Sequence, residues 1–257
     1  MATESASTLG LEDVRSPRAL KGALGELIGT LFLVLVTVGT FASVVYFSGA
    51  DAVPVIALAQ GLVFGMLIAT LGGVSNGYLN PAVTLAMIIT GQVSVLRGVL
   101  YVIAQFIGAI VGVLLLRAVI LKAVLQAVPG AGGLYLSEPG VDEAWKGFLL
   151  EGLGTFLLVW TIFAVDVRRR FGAGVASPLY IGLAFAAVSM FLIPLTGAGL
   201  NPARAFGPSL VLPGVAQDVP GRWSDAWVYY VGPLVGAALA GLSYYVLYIL
   251  YEDEDEQ

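Results

Sequence analysis

The sequence predicts an all-α membrane protein with six transmembrane helices and two re-entrant half-helices, arranged as an inverted repeat. The chain of 257 residues is 58% hydrophobic and 11% charged, with a mean hydropathy of +0.93. Soluble domains carry about 25% charged residues. Six apolar stretches are long enough to cross a bilayer, and a short helix beginning with Asn-Pro-Ala follows the second and the fifth.

The six predicted spans each hold the roughly twenty apolar residues that a spanning helix needs. In chain order they are residues 20–47, 53–73, 96–120, 145–167, 176–195 and 227–251. The predicted organisation is a polar N-terminus (1–19), a first repeat (20–120), a connecting loop (121–144), a second repeat (145–251) and an acidic tail (252–257).

Each half-helix is predicted from its first residues. An Asn can cap a helix, and a Pro suits the first helical position because its missing N–H would have no partner there. One such helix starts at Asn80 and stops before Gly91, and the other starts at Asn201 and stops before Pro213. Both contain about half the residues needed to span a membrane.

An internal repeat predicts how these segments are arranged. Residues 26–34 (ELIGTLFLV) return as 151–159 (EGLGTFLLV), and residues 104–109 (AQFIGA) match 232–237 (GPLVGA). Three spans and one half-helix therefore occur twice, and an odd number of spans places the two copies in opposite orientations. Such inverted repeats hold their site near the midplane, where broken helices meet.

The distribution of basic residues predicts the orientation in the membrane. One face collects Arg15, Arg18, Lys21, Arg97 and the run 168–170, and the other collects Arg117, Lys122, Lys146 and Arg222. By the positive-inside rule, both termini and the first half-helix lie on the cytoplasmic side. The start of the chain lacks the pattern of a cleaved signal peptide, so we expect it to be retained. The acidic tail is interpreted as a solvated end.

The composition also limits the chemistry. The chain has no Cys and no His, which excludes disulfides, thiolate nucleophiles, imidazole bases and the usual zinc or haem ligands. We therefore expect no enzyme activity, no cofactor, no metal site and no nucleic-acid partner. The function classes that remain open are a channel, a secondary transporter, a membrane enzyme and a purely structural protein.

The chain has two Asn-Pro-Ala motifs at matching positions of an inverted repeat, and the second continues as Asn-Pro-Ala-Arg-Ala-Phe-Gly-Pro. In this pattern the chain resembles the aquaporin (major intrinsic protein) family. The resemblance covers nearly everything between the two polar tails. It implies six tilted spans with the half-helices meeting head to head, and a passive channel for water that excludes protons and ions. It also implies a multi-pass protein of the plasma membrane that forms a homotetramer with one pore in each subunit.

Both half-helices would direct their positive dipole ends at one spot, where Asn80 and Asn201 offer side-chain donors to a passing oxygen. The alternative is that the two Asn side chains only cap their helices. The motif residues at this spot are Asn80, Pro81, Ala82, Asn201, Pro202 and Ala203. The backbone carbonyls expected to line the two half-pores are those of Asn76, Gly77, Tyr78, Gly197, Ala198 and Gly199.

The resemblance also implies an outer constriction formed by Gln60, Ser189, Ala198 and Arg204. Water-selective members of the family have a bulky aromatic residue at the Gln60 position and a His at the Ser189 position. The ring predicted here is therefore wider and more polar, which leaves a channel for glycerol, urea or metalloid acids as an alternative. Alternatively, Gln60 bonds a backbone group and has no selective role.

Other positions favour water. Glycerol-conducting relatives usually carry an Asp where this chain has Ala205, and a Pro-Leu type pair where it has Tyr229-Tyr230. The sequence leaves this conflict open.

Glu26 and Glu151 lie at equivalent positions within apolar spans, so each carboxylate needs partners. The predicted partners are backbone N–H groups of the re-entrant loops, as in the family, and Gln105 is interpreted as a further support of a loop. Proton coupling by the two Glu residues, as in a transporter, is the alternative.

Overall fold

The computed structural model describes residues 9–48, 52–130, 132–136, 140–167, 174–213 and 224–249. Within these ranges the regular secondary structure is helical. Two sequence predictions concern segments outside the described residues. The basic run 168–170 and Arg222 were used to predict the orientation, and the acidic tail was interpreted as a solvated end.

The described residues form ten α-helices. In chain order they are α1 (Leu11–Val14), α2 (Pro17–Ser48), α3 (Val53–Ser75), α4 (Pro81–Ile89), α5 (Val95–Val119), α6 (Lys122–Gln126), α7 (Ala144–Ile162), α8 (Ser177–Thr196), α9 (Pro202–Val211) and α10 (Val228–Tyr244). A π-helical turn, Phe163–Val167, extends α7, and another, Tyr245–Ile249, extends α10.

Six of these segments are long and apolar enough to cross a membrane, which confirms the six predicted spans. They are Pro17–Ser48, Val53–Ser75, Val95–Val119, Ala144–Val167, Gly174–Thr196 and Val228–Leu247. The ends differ from the predicted ends by a few residues, as expected where helix boundaries are inferred from apolarity alone. The predicted end of the last span, residue 251, lies outside the described residues.

The packing of the helices repeats between the two halves. Helix α2 packs along α5 in the first half, and α7 packs along α10 in the second. Helices α3 and α8 pack against each other between the halves. The half-helix α4 lies against α10, and the half-helix α9 lies against α5, so each half-helix contacts the opposite half. The two halves are therefore interlocked rather than side by side.

Glycines allow the long helices to approach closely. A Cβ placed on Gly61 of α3 would lie 2.2 Å from the carbonyl oxygen of Gly182 on α8, and one on Gly108 of α5 would lie 2.3 Å from that of Leu27 on α2. These distances are shorter than van der Waals contact, so the crossings require residues without a side chain.

The segment before the first span also packs on the protein, although the sequence predicts only a polar terminus. The N–H of Leu96 donates to the carbonyl of Leu9 at 3.1 Å, and the Ser94 hydroxyl donates to the Asp13 carboxylate at 2.6 Å. Asp13 also forms an ion pair with Arg97. Helix α1 is thereby held at the start of α5.

Candidate functional site: a pore between the half-helices

The two half-helices begin with the same local structure. Asn80 is extended, with φ −155°, and its side-chain oxygen accepts the N–H of Ala82 at 2.9 Å. Asn201, with φ −154°, accepts the N–H of Ala203 at 2.9 Å in the same way. Pro81 and Pro202 occupy the first helical positions, where no N–H partner is needed.

The two N-termini meet head to head. The Asn80 amide nitrogen donates to the carbonyl of Leu200 at 2.8 Å, and the Asn201 amide nitrogen donates to the carbonyl of Leu79, also at 2.8 Å. A side-chain amide nitrogen carries two N–H groups. Each Asn therefore caps its own helix, braces the opposite loop and keeps one N–H for a guest.

The loops that lead into the half-helices have an unusual backbone. Left-handed φ angles of non-glycine residues are uncommon and costly, because Cβ crowds the backbone. Both loops contain three left-handed residues: φ is 69°, 66° and 52° at Asn76, Gly77 and Leu79, and 82°, 54° and 54° at Gly197, Ala198 and Leu200. No described residue donates a hydrogen bond to the carbonyls of Asn76, Gly77, Tyr78, Gly197, Ala198 or Gly199. These oxygens are free to accept from a guest.

A buried carboxylate holds the first loop. Glu26 of α2 has no exposed surface, and its two oxygens accept the N–H groups of Tyr78 at 3.0 Å and Leu79 at 2.6 Å. The Gln105 amide of α5 donates to Glu26 at 2.7 Å and to the Thr84 hydroxyl of α4 at 2.9 Å. Gln105 therefore links the carboxylate to the half-helix.

The second loop is held by the equivalent carboxylate. Glu151 of α7 is fully buried and accepts the N–H groups of Gly199 at 2.9 Å and Leu200 at 2.6 Å. The Thr196 hydroxyl donates to it at 2.6 Å. In both halves the described hydrogen bonds to the carboxylate come from backbone N–H, amide or hydroxyl groups, which hold it in place without forming a chain of titratable groups.

All four predicted constriction residues are buried, and one of them, Arg204, belongs to the second half-helix. Arg204 is 2% exposed, and its Nη2 donates to the carbonyl of Gly132 at 2.9 Å. Its Nη1 is buried and has no partner among the described residues. Ala198 is also fully buried. The Arg204 guanidinium is thus held through Nη2, while Nη1 remains available as a donor to a guest.

Gln60 and Ser189 form a hydrogen-bonded pair across α3 and α8. The Ser189 hydroxyl donates to the Gln60 side-chain oxygen at 3.2 Å, and both residues are fully buried. The Gln60 Nε2 has no partner among the described residues. The described contacts of Gln60 thus contradict the interpretation that its side chain turns aside to bond a backbone group.

A cavity opens at each side of this region. One, of about 620 Å³, is lined by polar groups of Asn76, Tyr78, Gln92 and Asp166. The other, of about 340 Å³, is mainly apolar and includes Ile56 and Ile193. Asn76 and Tyr78, whose carbonyls were predicted to line the pore, thus border the larger cavity.

Sequence reasoning missed two supports of the site. Gly132 holds Arg204 but belongs to the segment that was predicted only as a connecting loop. The Tyr229 hydroxyl donates to the carbonyl of Thr196 at 2.8 Å, which fixes the end of α8. The Gly132-Gly133 pair in the sequence does indicate an unusual backbone, and both residues have positive φ. The pair does not indicate that Gly132 binds Arg204.

Comparison with known proteins gives the same family. The family model of the major intrinsic proteins matches residues 13–244. Aquaporin-4 of Mus musculus is 38% identical over 230 residues, covering 87% of this chain and 66% of that protein. The probable aquaporin PIP2-8 of Oryza sativa subsp. japonica is 39% identical over 227 residues, covering 86% of this chain and 79% of that protein. The alignment with aquaporin-4 thus spans just under two thirds of that relative.

A solved structure shares the fold. The X-ray structure of the aquaglyceroporin from Plasmodium falciparum superposes with a TM-score of 0.75 at 19% sequence identity, covering 92% of this chain and 99% of that chain. Together with six spanning helices and the paired half-helices, the matches establish that this chain is a multi-pass membrane protein of the major intrinsic protein family.

Proposed function

We propose that this chain is a passive channel for water whose pore passes the meeting point of the two half-helices. Membership of the major intrinsic protein family places it among channels and not enzymes. The observation that carries the proposal is the reciprocal bracing of Asn80 and Asn201, which leaves one amide N–H of each side chain unused.

This geometry would orient a passing water molecule. An α-helix N-terminus carries roughly half a positive charge, and two such ends face each other here. A water oxygen that accepts from both Asn side chains turns its hydrogens outward, toward the free carbonyls of the loops. Water molecules in this orientation do not form a continuous proton wire, and the positive field disfavours cations.

A water molecule that enters the pore loses hydrogen bonds to bulk water, and donors of the constriction would replace some of them. A buried donor without a partner is costly, and two predicted constriction residues carry such donors among the described residues, Gln60 Nε2 and Arg204 Nη1. A water oxygen that accepts from them recovers part of the lost hydration. The two donors support a polar guest and disfavour an apolar one.

The pairing of Gln60 with Ser189 bears on solute size. Because their oxygen atoms are 3.2 Å apart, no molecule passes between the two side chains. A guest must therefore pass beside the bonded pair. We infer that the ring is narrower than its residue types suggest and that water is preferred, as Ala205 and the Tyr229-Tyr230 pair also favour. Small neutral solutes are the second candidate, because Ser189 and Ala198 are small residues.

Osmotic measurements on proteoliposomes test this proposal. Stopped-flow light scattering would follow shrinkage in an impermeant osmolyte and re-swelling in glycerol and in urea, with protein-free liposomes as the control. We expect fast shrinkage and slow re-swelling. Fast re-swelling would instead establish a channel for small solutes, and shrinkage at the rate of the control would reject the channel.

We further propose that the protein resides in the plasma membrane as a homotetramer, with both termini cytoplasmic. Support for the orientation comes from the basic residues: Arg15 ends α1, and Arg18 and Lys21 lie at the start of α2. Asp13 of α1 ties this region to Arg97 at the start of α5. Accessibility of an N-terminal tag to protease in sealed, right-side-out vesicles tests it, since a cytoplasmic tag stays protected.

A further inference from the structure

The smaller cavity is an apolar pocket between α2, α3 and α8. It has a volume of about 340 Å³. Aliphatic, aromatic and proline side chains of α2, α3, α8 and the connecting segment form its wall, including those of Phe41, Val45, Val53, Ile56, Ile193 and Tyr135. None of the described residues that line it carries a charged side chain.

The helical register places this pocket directly outside the constriction. Ile56 precedes Gln60 by four residues on α3, and Ile193 follows Ser189 by four residues on α8. Residues four apart lie on the same helix face, one turn or about 5.4 Å along the axis. Because Gln60 and Ser189 are bonded to each other and both isoleucines line one pocket, the pocket lies one turn outside the bonded pair.

An unused donor lies one helical turn from the wall of this pocket, on Gln60. The Gln60 side chain is fully buried, and its Nε2 has no partner among the described residues. Arg204 Nη1, which belongs to another residue of the predicted constriction, also has no partner among the described residues. A molecule seated in the pocket would satisfy such a donor by placing one acceptor oxygen toward the constriction.

We propose that the pocket binds a small uncharged molecule with an apolar body and one hydrogen-bond acceptor, and that the bound molecule plugs the pore. The volume is at the lower end of the roughly 300–1,000 Å³ typical of ligand sites, which are apolar with a few polar groups. At about 30 Å³ for each water-sized unit, it holds roughly ten heavy atoms. Charged molecules are disfavoured because the described residues of the wall offer no partner for a charge.

Benzamide is a suitable probe, since it combines an aromatic ring with one carbonyl acceptor. Binding would be measured by ligand-observed saturation-transfer NMR on the protein in lipid nanodiscs, and flux by stopped-flow scattering with benzamide present. Only the flux readout rests on the proposed water channel. Saturable binding without water flux would therefore uphold the pocket while rejecting the channel.

Matched variants locate the bound probe. Val45→Phe and Val53→Phe add a ring to two half-buried positions of the wall, and Val55→Phe adds the same ring to a 53% exposed position of α3 that does not line the pocket. We expect saturable binding to the unmodified protein and to Val55→Phe, and its loss in both wall variants. Two wall variants keep the test valid if one of them fails to fold.

The donor is tested separately with Gln60→Leu. Removing one hydrogen bond from the complex should weaken benzamide affinity about three- to tenfold. In the unmodified channel, saturating benzamide should slow osmotic shrinkage. The proposal is overturned if the unmodified protein shows no saturable binding, if the wall variants bind as well as the unmodified protein, or if the protein conducts water and bound benzamide leaves that water flux unchanged.

Discussion

At the scale of single residues, the carboxylates of Glu26 and Glu151 each hold one re-entrant loop, in the first and the second half respectively. Each accepts two consecutive N–H groups of a loop, the second of which belongs to a leucine with left-handed φ. Such a backbone persists only where its surroundings fix it. The two buried carboxylates therefore hold the loop carbonyls where a permeating molecule needs them.

Replacing Glu151 with Gln tests this support. An amide has one acceptor oxygen, and its NH₂ group would face a loop N–H, so one buried donor is left without a partner. We expect the variant to lose about 1–3 kcal/mol of stability and to conduct less water. Thermal unfolding in detergent and stopped-flow scattering measure the two effects. Glu12→Gln, at an exposed position of α1, is the control, and equal stability and flux in both variants would argue against the assignment.

Replacing Ser189 with Ala tests the bonded pair of the constriction. The variant lacks the hydroxyl that holds the Gln60 oxygen, so the Gln60 side chain is free to turn out of the ring. One hydrogen bond of about 1 kcal/mol corresponds to an increase of about fivefold in glycerol permeability, with water flux retained. Re-swelling in glycerol measures the change. Ser243→Ala, in which the lost hydroxyl bonds only its own helix, is the control. Unchanged glycerol permeability would show that the pair does not set the width.

At the scale of helices, close crossings position the constriction. Gln60 and Gly61 are neighbours on α3, and Gly61 packs against Gly182 of α8, the helix that carries Ser189. The distance between the two helices therefore decides whether Gln60 and Ser189 can bond.

Gly61→Ala should disrupt this crossing. Its new Cβ would lie 2.2 Å from a backbone oxygen of α8, so one of the helices must move. We expect a lower unfolding temperature and faster entry of glycerol. Gly72→Ala in the same helix has no heavy atom within 4 Å of the new Cβ and should be neutral or stabilising by up to about 1 kcal/mol. If both variants unfold at the same temperature, the crossing does not need a glycine.

Helices were predictable to different degrees. The six spans follow from apolar length, and the two half-helices follow from an Asn-Pro start and a nearby end, because these features act locally. Helices α1 and α6 have four and five residues, which is too short for a periodic pattern to show. The contacts of Asp13 with Ser94 and Arg97 join residues about eighty positions apart, and local sequence carries no signal for such pairs.

At the scale of the whole molecule, the inverted repeat explains why the site is central. Each half-helix packs against the opposite half, and each Asn bonds the opposite loop. The sequence predicted that the half-helices meet, because the motifs occur at matching repeat positions. It could not predict that Gly132 holds Arg204 or that Gln60 bonds Ser189, since these pairs depend on how loops and helices from different parts of the chain pack in three dimensions.

The proposed assembly is testable on the intact protein. Each chain contains both half-helices and therefore a complete candidate pore. If the homotetramer forms, native mass spectrometry from mild detergent should give four copies of the 26.7 kDa chain. A single copy under the mildest conditions that release the protein would contradict the tetramer, while the pore within each chain would be unaffected.

The central claim is that the paired half-helices pass water and exclude protons. The most direct test measures both in one preparation of proteoliposomes that contain a pH-sensitive dye. Stopped-flow scattering gives the water permeability, and dye fluorescence after an external acid step, with valinomycin and potassium to prevent a membrane potential, gives the proton permeability. We predict water flux far above that of protein-free vesicles and proton flux equal to theirs. Absence of water flux, or proton flux that rises with the amount of protein, would contradict the claim.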